Sequence, residues 1–99
     1  MVQDYRNLTR LDMEQLDRKE TIVLIPVTSL EQHGNHCPLG TDAMIAEGTI
    51  RRMRAALPEE VNVLLFPALP LGLSTEHVNF CGSITLTPRT LLTVLSRCV

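Results

Sequence analysis

Tryptophan is absent from these 99 residues, and only Tyr5, Phe66 and Phe80 are aromatic. That excludes a row of stacking rings for single-stranded nucleic acid. Charge of one sign is also lacking, since the formal net charge is only -2. Neither a nucleic-acid partner nor an anionic membrane surface is expected from such a balance. No apolar run approaches the length that crosses a bilayer, and no basic stretch followed by an apolar one opens the sequence. Cysteine is scarce and odd in number, and Cys37, Cys81 and Cys98 share no zinc-ribbon spacing. A disulfide framework is therefore not expected, and a reducing compartment is. The expectation is a soluble, cytoplasmic protein with one small domain and a modest core. Internal repeats and domain linkers are absent as well.

What is present begins with Leu8-Thr9-Arg10-Leu11-Asp12, which reads as a helix start. Thr9 is placed to cap, Asp12 stands at the third helical position, and Leu8 is placed to staple against Met13. Leu8, Leu11 and Leu16 line one stripe, and the helix is expected to fade near Arg18 and Lys19. Thr21 to Val27 is a continuous run rich in β-branched residues, the pattern of a parallel strand buried on both faces. A second helix should start near Asp42, with Ala43, Ala46, Ile50, Met53 and Leu57 on one stripe and Pro58 ending it. Val61 to Phe66 reads as the next strand, giving a βαβ unit with a right-handed crossover. Ser83 to Leu86 is a short β-like run. Thr87 and Pro88 then open a third helix, with apolar positions at Leu91, Leu92, Val94, Leu95 and Cys98. The fold class expected is α/β, a three-layer αβα arrangement around a mainly parallel sheet. About three strands and three helices are present. The pattern stops where an α/β order calls for another strand, so residues 1–99 are expected to form a single incomplete domain.

Between the first long strand and the second helix lies Ser29 to Asp42, S-L-E-Q-H-G-N-H-C-P-L-G-T-D. In open α/β sheets, ligands bind outside the carboxyl ends of the strands, which is where this loop falls. Glu31 and His33 are two apart and point the same way if the backbone there is extended. Asp42 returns at the head of the next helix. One imidazole and several carboxylate oxygens suit zinc, manganese or iron(II) better than calcium. Asp42 has the two oxygens needed to bridge a pair of ions. Each residue also has a plainer reading. Asp42 serves as a helix N-cap, Glu31 as a solvated carboxylate and His36 as a surface histidine. Cys37 is either a soft ligand or a small buried thiol. Ser74, Glu76 and His77 form a second polar loop, which reads either as a turn or as substrate-binding and ligand-orienting groups.

The two loops together resemble the creatininase (creatinine amidohydrolase) family. Its Ser-x-Glu-x-His-Gly-x-His-x-Pro-x-x-Thr-Asp pattern is matched by Ser29, Glu31, His33, Gly34, His36, Pro38, Thr41 and Asp42. A second pattern, approximately Gly-x-Ser-x-Glu-His followed by Phe-Pro-Gly-Thr-x-x-Leu, is matched by Gly72, Ser74, Glu76, His77, Phe80, Gly82 and Leu86. The resemblance implies an αβα hydrolase with a binuclear centre, typically of zinc or manganese, that assembles as a homo-oligomer. It implies that a metal-bound water hydrolyses a C–N bond in a small-molecule amide substrate, cyclic or otherwise non-peptide, although some relatives use short peptide amides. Glu31 and His33 resemble ligands of different ions, and Asp42 resembles the bridging carboxylate. Ser74 falls where the family has a serine near the substrate, and His36, Glu76 and His77 take supporting places.

Four positions depart from the family pattern, namely Thr28, Cys37, Cys81 and Ser83, and none removes a ligand. The family's remaining ligands come from an Asn-Gly-His-x-x-Asn segment that this sequence lacks. The chain therefore resembles the N-terminal portion of the family, and little or no activity is expected of it alone. The alternative is a non-catalytic truncated remnant that binds metal weakly or meets a partner through an open sheet edge.

Overall fold

In the computed structural model, residues 1–98 are described. They form a three-stranded, wholly parallel sheet accompanied by three α-helices. The strands are β1 (Val2–Asp4), β2 (Thr21–Leu24) and β3 (Asn62–Leu65), in the order β1-β3-β2. The helices are α1 (Arg10–Glu14), α2 (Thr41–Ala56) and α3 (Pro88–Cys98). This is the expected αβα class at reduced size, and β2, α2 and β3 are the expected βαβ unit.

The strand β3 lies in the centre because both neighbours pair with it, Val2 and Ile22 each opposite Val63. Val63, Leu64 and Leu65 are accordingly the buried apolar core. The radius of gyration is 15.9 Å, against about 13 Å for a compact domain of this length. Much apolar surface therefore stays in water. Ile22 and Val23 of β2 are 58% and 54% exposed, so that strand is an open edge and is not buried on both faces as its composition predicts.

Other expectations also shift. The strand β2 stops at Leu24 because Pro26 has no N–H to give a ladder. Its line resumes as an isolated parallel bridge between Val27 and Leu69. The strand β1 carries no signal in its own three residues, and it exists by pairing with β3. Ser83 to Leu86 is no strand but carries a single antiparallel bridge, Leu30 to Ile84. The Ser83 hydroxyl accepts from Gln32 N–H, and the Thr85 hydroxyl accepts from Ser74 N–H. In α3, Leu92 is 68% exposed despite its apolar character. No helix among the described residues is long and apolar enough to cross a membrane.

The helix α1 shows how local chemistry sets an end. Thr9 and Asp12 form a reciprocal capping box, as expected. The helix then ends by Gln15 rather than near Lys19, because the Asp17 carboxylate accepts from Lys19 N–H and Glu20 N–H and so favours a turn. Asp12 sits below the usual carboxylate range, chiefly through the Thr9 backbone hydrogen bond and then its hydroxyl. A carboxyl depressed in the folded state adds stability above its unfolded pKa and loses it as pH falls through the folded value. Thr9→Ala should lower the thermal midpoint by on the order of a few degrees near neutral pH. That deficit should shrink as Asp12 protonates, which thermal melts of both chains across the acid range will read.

The helix α2 follows its predicted stripe, with Ala43, Ala46, Ile50, Met53 and Leu57 all half-buried. Leu57 leaves the helix in an extended conformation ahead of Pro58. Arg54, in the last turn, donates to Asp4 at 2.6 Å and ties α2 to the end of β1. At its other end the first turn lies beside the loop that leaves β2, where the Ser29 hydroxyl reaches Asp42.

Candidate metal centre

The loop after β2 is shaped by a tight turn. Gly34 has φ +73°, and His33 and Cys37 form an antiparallel bridge across the turn. Glu31 and His33 then face Asp42 in the first turn of α2. One ligand atom from each of the three lies within 4.8 Å of the others. His33 Nε2 is 3.6 Å from Asp42 Oδ1. Two ligands of one zinc ion are separated by at most roughly 4.2 Å, twice a Zn–N bond of about 2.1 Å. The spacing of that pair therefore fits a shared ion.

Hydrogen bonds prepare both partners. His33 Nδ1 lies 3.1 Å from the carbonyl oxygen of Glu31. A carbonyl only accepts, so Nδ1 carries the proton, and in the neutral ring Nε2 offers its lone pair toward Asp42. The Ser29 hydroxyl donates to Asp42 Oδ2 at 2.6 Å. That bond is the main reason the Asp42 carboxyl sits below the usual carboxylate range; partial desolvation opposes it, and the proximity of His33 adds to it. Asp42 does not cap α2 with its side chain; it lies in the first turn, where the helix dipole also favours a negative charge.

Glu31 belongs to a second group as well, with Glu76 and His77. His77 Nε2 lies 3.8 Å from Glu31 Oε2 and 3.7 Å from Glu76 Oε1. The two polar loops are thus brought together in space, with Glu31 between them. Gln32 bridges them: its backbone N–H donates to Ser83, and its side-chain amide meets His77 Nδ1 at 2.8 Å.

The remaining expected residues fall outside both groups. His36 is exposed, its ring against Gly34. Cys37 is a half-buried free thiol outside the ligand clusters. Ser74 is fully buried, and its hydroxyl has no hydrogen-bond partner among the described residues. Two contributors are not singled out by sequence, Gln32 and Ser29 as the partner of Asp42. Their spacing carries no signal, because each acts through a contact made only when the chain folds back on itself.

Residues 6–99 match the family model described as creatininase, creatinine amidohydrolase. Among curated proteins, the mycofactocin precursor peptide peptidase of Mycobacterium tuberculosis is 38% identical over 78 residues, covering 73% of this chain and 31% of that protein. The protein of the same name from Mycolicibacterium smegmatis is 39% identical over 75 residues, covering 73% of this chain and 30% of that protein. The chain thus spans about a third of the length of these relatives. Among solved structures, a tryptophan-to-alanine mutant of creatininase and a glutamate-to-glutamine mutant of Zn–Zn type each align with a TM-score of 0.76. Each alignment is 24% identical and covers 96% of this chain and 38% of the other, a likeness that shows the fold.

Proposed function

Because this chain belongs to the creatininase family, we propose that its two loops form part of a divalent-metal centre of an amide-cleaving hydrolase. The observation that carries this reading is the convergence of Glu31, His33 and Asp42 ligand atoms within 4.8 Å, with His33 Nε2 left bare. Their nitrogen and oxygen donors suit zinc or manganese. When bound, such an ion supplies a water acidified toward neutrality and a Lewis-acid pull on a carbonyl oxygen. The chain's own part is to hold the ligands: Ser29 orients Asp42, and the Glu31 carbonyl orients His33. The bridging role of Asp42 and a second ion belong to the same proposal. Ser74 is read as a substrate contact, because a buried hydroxyl without a partner is costly and a ligand group would satisfy it. His36 keeps at most a supporting role.

The substrate class proposed is a peptide amide, since the curated relatives are named as peptidases of a precursor peptide. This differs from the cyclic or other non-peptide amide that the family resemblance alone implied. The wide exposure of apolar β2 residues supports reading residues 1–99 as an incomplete domain. Full activity and homo-oligomer formation are therefore assigned to a protein of the relatives' length. Three free thiols support a reducing compartment such as the cytoplasm.

Zinc titration of the purified chain tests the metal reading. The expected result is saturable binding that His33→Ala weakens by roughly a hundredfold, at or beyond the ~10–100-fold typical of residues that only support a ligand. Equal zinc binding by both chains would remove His33 from the centre.

A further inference from the structure

Among the described residues two candidate ligand groups share Glu31, and geometry alone does not separate them. The polarity of the hydrogen bonds does. Gly34 N–H donates to Gln32 Oε1 at 2.9 Å, which fixes the carbonyl end of the Gln32 amide. Its other end, the NH2 group, therefore faces His77 Nδ1 at 2.8 Å. An amide nitrogen only donates, so Nδ1 of His77 must accept. A neutral imidazole with an accepting Nδ1 carries its proton on Nε2. That Nε2 is the atom turned toward Glu31 and Glu76. An N–H aimed at a cation's place cannot ligate it. His33, with its proton on Nδ1, is in the opposite state.

We infer that Gln32 is a positioning residue that sets the tautomer of His77, closing the Glu31–Glu76–His77 group to a metal ion and leaving the metal centre to Glu31, His33 and Asp42. His77 becomes a donor facing the Glu31 carboxylate. At 3.8 Å the pair is too long for a direct hydrogen bond. For His77 to become a ligand, its ring must break the bond to Gln32. One net hydrogen bond of that kind biases the choice by about tenfold. Glu76, at 66% side-chain exposure, faces the same N–H and remains a solvated carboxylate.

The inference rests on the metal reading above, and its test separates the two. Long-range proton–nitrogen correlation spectra of the imidazoles at about pH 8, where histidine is neutral, report each tautomer without any metal. The expected result is His77 protonated at Nε2 in the wild type and at Nδ1 in Gln32→Glu. In that variant a carboxylate oxygen replaces the donor, while the other oxygen still accepts from Gly34 and keeps the loop tied. A wild-type His77 protonated at Nδ1 overturns the inference.

Zinc affinity supplies the second readout. Glu76→Gln should leave it within about twofold in the Gln32 background, and lower it roughly tenfold in the Gln32→Glu background, where the second group is open. A tenfold loss already in the Gln32 background overturns the exclusion, as does no loss in the Gln32→Glu background. A wild type that binds no zinc overturns the metal reading itself, and the exclusion with it, whatever the tautomer spectra show.

Discussion

Gly72→Ala is expected to abolish cooperative unfolding of this chain, or to lower its stability by roughly 3 kcal/mol or more, the upper range of overpacking effects. A Cβ built at Gly72 falls 2.3 Å from the carbonyl oxygen of Thr28. That neighbour is backbone, so no side chain can swing aside to make room. Thr28 cannot retreat easily either. It is buried, and both its N–H and its hydroxyl donate to the carbonyl of Leu69, at 3.1 and 2.7 Å. Gly72 in turn accepts from Leu86 N–H at 2.9 Å, so shifting it disturbs the second loop. With three apolar residues in the buried core, the chain has little stability to lose. Gly48→Ala is the contrast. Gly48 lies within α2 with nothing within 4 Å of an added Cβ, and the change should stabilise by about 0.5–1 kcal/mol. Urea unfolding of the three chains decides the matter. A Gly72→Ala midpoint equal to wild type would show that the close approach is easily relaxed.

The second large effect is expected from Asp42→Asn. Removing the carboxylate takes away a ligand and leaves a neutral amide in its place. Zinc affinity should fall by on the order of a hundredfold or more, beyond the loss seen when a merely supporting residue is changed. Metal-free stability should change its pH dependence as well. The Asp42 carboxyl is held below the usual range, mainly by Ser29. Its contribution is thus present above the unfolded carboxylate pKa and is lost as pH falls through the depressed folded value. The amide of the variant does not ionise, so this increment should vanish from its profile. Urea midpoints from about pH 5 down to about pH 2, measured without metal, will show it. If both profiles fall in parallel, the Ser29 bond does not stabilise the charged form. Zinc binding by Asp42→Asn as tight as wild type would remove Asp42 from the centre.

Much of the fold was legible in the residues because the signals were local. Thr9 and Asp12 lie within one helical turn, and the α2 stripe from Ala43 to Leu57 follows the helical period. Pro58 and Pro88 mark helix boundaries by their own covalent geometry. The site's composition was legible for a similar reason. Glu31, His33 and Asp42 stand close in sequence, and a second motif around Ser74 made the pattern specific to a family.

What the sequence determined by itself, then, is the three helices and the two strands of the βαβ unit, the loop that carries the ligands, and the family. Tertiary structure alone decided how those parts are used. The strand β1 exists because β3 offers it an edge, and β2 is exposed because nothing lies beyond it among the described residues. The loop from Ser29 to Asp42 gained its partner when Gln32 met His77, 45 residues away. Hydrogen-bond polarity then gave two histidines opposite tautomers, a distinction that two identical letters do not carry. It depends on which donor or acceptor the fold places beside each ring nitrogen.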